Sequence, residues 1–261
     1  MVGNTHDLQN HRSPIGTWFK QTASKVNTRN LDEQTSQGFY VVAADGSAYV
    51  FNNNRSVERV LQTLDKGMAG FRSAPPAKVE IPQEKQWAPE PPPDATVLRV
   101  YSRIKPVPLG CDTANENLQR DHFWLLAPEI AALRKGEVPD SLAMRLCRFA
   151  FVDAIRGEPD FWRVEEVKKS FKVSGASLIG TFQMQTADAK RGLTGNLELQ
   201  ISKSGEVKGF AETTAWGAGT YTPNPPTGKF PLKFAFVVAP KAPDTVAPQA
   251  AMFGREYLTG R

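Results

Sequence analysis

From Trp162 onward, apolar and polar residues alternate with period two. Successive side chains of a strand point to opposite faces, so this pattern predicts strands at about 164–173, 177–186, 192–202, 206–214 and 229–238. Ser174-Gly175, Ala187-Asp188-Ala189 and Ser204-Gly205 supply turns between them. Strands repeating every ~10–12 residues predict an antiparallel meander or a partly closed barrel. Upstream, Thr96 to Ile104 (TVLRVYSRI) reads as one more strand, followed by a loop containing Pro106, Pro108 and Gly110. The stretch His122 to Leu133 starts extended or helical, with Pro128 in the first turn of a short helix ending near Gly136. A stronger helix is predicted from Asp140 or Ser141 to about Arg156, with Leu142, Leu146, Phe149 and Val152 along one side and Gly157 as its end.

The N-terminal third changes period. Ile15 to Val26 has helical spacing, with Ser13 and Pro14 as cap and first turn. In Gly38 to Phe51 (GFYVVAADGSAYVF), two strand-forming runs flank Asp45-Gly46, a hairpin signal. Ser56 then caps a helix over Val57–Lys66, where Val57, Val60, Leu61 and Leu64 form an apolar stripe and Gly67 is the expected stop. Between the two halves lies APPAKVEIPQEKQWAPEPPPD, Ala74 to Asp94, with seven of the twenty prolines. Proline fixes φ and removes a donor, so this stretch predicts an extended connector. The chain therefore divides into a small unit (1–73), a linker (74–95), an α+β domain with an antiparallel sheet (96–239) and a wrapping or frayed tail (240–261). The fold class is α+β: a helix-hairpin-helix unit linked to a helix-plus-meander domain.

Residues 38–68, GFYVVAADGSAYVFNNNRSVERVLQTLDKGM, resemble the C-terminal half of a thioredoxin-like fold. The resemblance implies hairpin-then-helix packing. Redox chemistry does not follow from it, because the chain has no Cys-x-x-Cys and no proline precedes Phe39 where such folds carry one beside the active site.

Composition changes the picture little. Net charge is +5, and 40% of residues are apolar, enough for a core. No apolar run is long enough for a membrane span and the N-terminus lacks an apolar leader segment, which predicts a cytoplasmic protein. Cys111 and Cys147 are read as two reduced thiols. Lys168, Lys169 and Lys172 read as a solvated strand face, and no basic stripe is interleaved with aromatics, so nucleic acid is not an expected partner.

Three patches remain as candidate chemistry. His122, in RDHFW, is the only histidine outside the N-terminal arm and a candidate general base. Arg145, Arg148, Asp153, Arg156 and Glu158 combine guanidinium groups suited to an anionic ligand with carboxylates suited to acid–base work. Trp216, Tyr221 and Lys229 lie in a Gly- and Pro-rich stretch that fits the rim of an apolar pocket. No nucleophile elbow, Walker loop, zinc spacing or EF-hand is present, so neither cofactor nor metal is expected. The expected function is a non-catalytic ligand-binding or protein-assembly module, with a protein partner, a homo-oligomer or a small apolar or anionic ligand. The alternative is a hydrolase- or lyase-type enzyme using His122 or the Asp153, Arg156, Glu158 group.

Overall fold

The alternation in the second half builds a single seven-stranded antiparallel sheet in the computed structural model, which describes residues 14–31, 36–78, 90–202, 206–239 and 247–261. Strands β3 (Thr96–Ile104) and β4 (Gln119–Leu125) pair with each other. Strands β5 (Val167–Ser174), β6 (Ser177–Gln185), β7 (Gly192–Ile201), β8 (Val207–Trp216) and β9 (Lys229–Val238) form the meander. The spatial order is β4-β3-β9-β8-β7-β6-β5, with β3 pairing with β9 across more than a hundred residues of chain. The two outer strands, β4 and β5, do not meet. The sheet is thus open, and the barrel alternative is corrected to a meander extended by one strand pair.

One face of the sheet carries the core. Leu98, Val100, Ile104, Phe182, Leu197, Ala211, Phe230, Leu232, Phe234 and Phe236 are buried there. Helices α3 (Ala127–Arg134) and α4 (Asp140–Arg145) supply Leu133 and Leu142 to the same cluster. Helix α4 runs directly into a π-helical turn, Leu146–Ala150, and helical structure stops there rather than at Gly157. The physical reason is Phe151. Its ring stacks on Phe182 at 4.1 Å and meets Phe234 and Phe236 edge-on, while its carbonyl accepts a hydrogen bond from Trp162 Nε1 at 2.8 Å. The chain leaves the helix to seat this ring, because aromatic burial outweighs a further helical turn.

Residues 247–261 of the expected tail are packed. A 3₁₀ turn (Gln249–Phe253) and helix α5 (Arg255–Thr259) bury Ala250, Ala251 and Tyr257 against Trp124 and Phe149. Residues 240–246 lie outside the described residues.

The N-terminal residues form a separate unit; the chain divides at Lys85 into units of 1–85 and 86–261. Helix α1 (Pro14–Ala23) precedes a hairpin of β1 (Phe39–Val42) and β2 (Ala48–Asn52), and helix α2 (Val57–Ser73) follows. Gly46 takes φ +82° in the turn, as the Asp-Gly signal requires. Phe19 of α1 meets Tyr40 edge-on at 5.4 Å, whereas the neighbouring Val41 faces Gly67 of α2. Adjacent strand residues point oppositely, so the two helices cover opposite faces of the hairpin. Helix α2 does not stop at Gly67; it continues to Ser73 and is closed by Ala74 N donating to Gly70 O at 2.9 Å, ahead of Pro75 and Pro76. Connector residues 79–89 lie outside the described residues.

Candidate functional site

The three arginines expected near a ligand each tie distant backbone together. Arg145 is fully buried. Its Nη1 donates to both Glu129 oxygens at 2.7 and 2.8 Å, its Nε to the Tyr257 carbonyl at 2.7 Å and its Nη2 to the Trp124 carbonyl at 2.6 Å. The guanidinium also lies over the rings of Phe123 and Tyr257. Arg148 donates to Trp162 O and Gly260 O at 2.8 and 3.0 Å and pairs with Glu256. Arg156 donates to Asn115 Oδ1 at 2.9 Å and Pro223 O at 3.1 Å and pairs with Asp153, while Glu158 is exposed. Carboxylate and carbonyl partners on every one of these side chains satisfy the buried charge from within the chain.

The Arg145 node also occupies part of a sheet edge. Trp124 N donates to Tyr257 Oη at 2.9 Å, and the Trp124 carbonyl accepts from Arg145, so both outward-facing backbone groups of this β4 residue are filled by side chains. An open strand edge is a template for pairing with another chain, and this one is blunted at Trp124. Burial pushes the Tyr257 hydroxyl up to about 12, which keeps it a neutral donor and acceptor.

His122 sits opposite Arg99 in the β3–β4 register, on the face away from the main core, and is buried. Its Nε2 has no hydrogen-bond partner among the described residues. Desolvation, then the charges of Arg120 and Arg99, hold its pKa below 6.5. The Asp121 carboxylate accepts from the backbone N–H of His122 at 2.7 Å and of Gln249 at 3.1 Å, not from the imidazole.

Trp216 and Lys229 are brought together: Nζ lies 5.3 Å from the ring centroid. The indole rests on Gly192, where a side chain would collide with it, and donates to the Ala189 carbonyl at 3.1 Å. Tyr221 is exposed on the following loop, with its carbonyl against Gly157. A groove of about 570 Å³ lies elsewhere, on the open face of β5–β8, lined by Lys172, Thr181, Asn196, Glu198 and Phe210. Cys147 is buried and its thiol is pushed up to about 12; it and Cys111 are unpaired. Among the described residues no group of histidine, cysteine and carboxylate side chains has metal-site geometry, and no helix is long and apolar enough to cross a membrane.

The most unusual surface is in the other unit, on α2. Thr63 and Gly67 are buried, and a Cβ on Gly67 would stand 2.6–2.8 Å from Val41 side-chain atoms; one on Gly70 would stand 2.9 Å from Tyr49. The helix therefore seats on the hairpin through its smallest residues. Its large apolar residues stay largely exposed: Val57, Leu61, Leu64, Met68 and Phe71 are 75, 56, 50, 48 and 43% exposed, and of these Phe71 also meets Tyr49 edge-on at 6.1 Å. Their spacing of four, three, four and three keeps them on one stripe, about 100° around the helix from the glycine face. Sequence spacing announces the first half of this stripe. Met68 and Phe71 escape it because they lie beyond the expected stop at Gly67. The orientation escapes it too, although the small-residue spacing Thr63, Gly67, Gly70 was the signal.

No family model, curated protein or solved structure matches this chain. Its surfaces therefore carry the functional reading.

Proposed function

We propose that this chain is a non-catalytic assembly module that docks a protein partner through the uncovered apolar stripe of α2. One observation carries the reading: five large apolar side chains in a row on a helix whose other face is already packed. Single exposed apolar residues are ordinary on a protein surface, but a contiguous stripe of this kind costs solubility unless something covers it. An amphipathic helix laid against a partner is a recurring mode of protein recognition, read through anchors at this spacing. The sheet domain supports the reading from the other side. Its arginines and the tail tie distant segments into one body, with one strand edge blunted at Trp124 against adventitious pairing.

The test places a photo-crosslinking amino acid at Leu64, on the stripe, or at Gln62, on the solvated flank, in the full chain in its native cell. A discrete protein adduct from position 64 and none from position 62 is the expected result. Equal or absent adducts at both positions would sink the docking reading.

A further inference from the structure

Resting on that docking reading, we propose that the occupant of the α2 stripe is a second copy of this chain, with the two α2 helices antiparallel about a two-fold axis. Val57, Leu61, Leu64, Met68 and Phe71 follow the alternating 4-3 spacing of a coiled-coil seam, in which apolar residues at two positions of each heptad meet the same positions of a partner helix. A seam of this type is self-complementary, and a two-fold contact uses one patch on both copies.

What flanks the seam selects the direction. On one side are Val60 and Gly67, turned toward the hairpin; on the other is a column of charges seven residues apart, Glu58, Asp65 and Arg72. In a parallel pair, the charged column of each helix would run against the hairpin side of its mate, burying charge beside apolar surface at a desolvation cost. In an antiparallel pair, the two charged columns meet each other and the two hairpin sides meet each other. Phe39, 44% exposed and on the same strand face as Val41, then adds to the apolar side.

Charge also chooses the register. When Leu61 of one helix faces Phe71 of the other, and Leu64 faces Met68, Glu58 lies within a turn of Arg72 at both ends of the seam. Sliding by one heptad, so that Leu61 faces Leu64, sets Glu58 beside Asp65 twice. The favoured register has one blemish, the two Asp65 carboxylates near the two-fold axis. Like charges there are repulsive, so Asp65→Asn should tighten the dimer. Helix α2 spans only about 25 Å. The contact therefore falls at the small end of specific interfaces, and the dimer should dissociate on dilution.

The experiment uses the full chain in a Cys111→Ser background. Light scattering across a concentration series reads the mass, and maleimide labelling of Leu64→Cys in dilute protein reads whether the stripe is open. In Leu61→Cys/Phe71→Cys, mild oxidation followed by tryptic mapping reads direction, because cleavage after Lys66 separates the two cysteines. The expected results are a mass that doubles with concentration, rapid labelling when dilute, and a 61–71 cross-link. Glu58→Arg should raise the dissociation constant about three- to tenfold, and adding Arg72→Glu should restore it. Cross-links of 61–61 and 71–71 would overturn the antiparallel arrangement. A monomer at every concentration, with the thiol of Leu64→Cys readily labelled, would overturn self-association and leave docking of another protein standing. A monomer in which that introduced thiol is blocked would overturn both, because the chain's own residues would then cover the stripe.

Discussion

The sheet domain and the N-terminal unit handle apolar residues in opposite ways. On β9, Phe230, Leu232, Phe234 and Phe236 all turn to the core, while Lys229 and Lys233 at alternate positions face water. On α2, Thr63 and Gly67 turn inward and the leucines face water. The difference teaches that periodicity identifies a face without saying which way it points. A strand of a one-sided sheet has a single apolar face to bury. Helix α2 has two faces able to pack, one of large residues and one of small residues that allow backbone to approach closely, and the hairpin is seated on the second.

The strongest way to break this comparison is at its most consolidated point. Arg145→Met should cost about 3–5 kcal/mol in urea melts, because it leaves Glu129 as an uncompensated buried charge. Arg145→Met/Glu129→Leu should recover much of that loss, since an apolar pair of similar volume replaces both charges. A double variant no more stable than the single would show that the backbone bonds to Tyr257 and Trp124, not the ion pair, carry the node.

Next come matched truncations in the two units. Phe182→Ala should cost about 3–5 kcal/mol. Leu64→Ser, measured on protein dilute enough to be monomeric, should change stability by no more than about 0.5 kcal/mol, as surface substitutions do. A Leu64→Ser cost near that of Phe182→Ala would abolish the distinction between the units.

A smaller effect tests how α2 sits. Gly67→Ala improves helix propensity by about 1 kcal/mol, yet the new methyl would press on Val41 of the hairpin, and overpacking typically costs about 1–3 kcal/mol. A net loss of about 1 kcal/mol is expected in thermal or urea unfolding of the N-terminal unit. A gain would mean that the glycine face is not what the hairpin touches.

The smallest effect concerns pH. His122 has a folded-state pKa held below 6.5, so the unfolded chain binds a proton more readily than the folded one. Its contribution is complete above about pH 6.5 and is lost as pH falls below that value. Urea midpoints of the parent should therefore drop more between pH 7.5 and 5 than those of His122→Leu. Identical slopes would mean that His122 stays solvated enough to titrate normally.

Much of the sheet was legible because alternation is a local property. Thr96–Ile104 and Lys229–Val238 could be placed from their own side chains, although nothing local announced that they pair with each other. The helix after Asp140 is shorter than its spacing predicts because its end is set by Phe151 stacking on Phe182 thirty-one residues later. The candidate arginines were visible as residues but not as roles. Arg148 reaches the carbonyl of Gly260, and Arg156 reaches that of Pro223, partners that sequence spacing cannot supply. The α2 stripe was half visible. Its orientation depended on Val41 and Tyr49 choosing glycine over leucine.

The side-chain occupation of the β4 edge at Trp124 has a consequence for synthesis. Strand β4 is complete once Leu125 emerges from the ribosome, but the groups that occupy its outer edge arrive separately, Arg145 soon after and Tyr257 more than a hundred residues later. Strand β3 waits almost as long for β9. In that interval the β3–β4 pair is an adhesive ribbon with unpaired outer edges, the kind of nascent segment that holding chaperones shield. Only when Tyr257 of α5 leaves the exit tunnel can the Trp124 position of that ribbon be sealed.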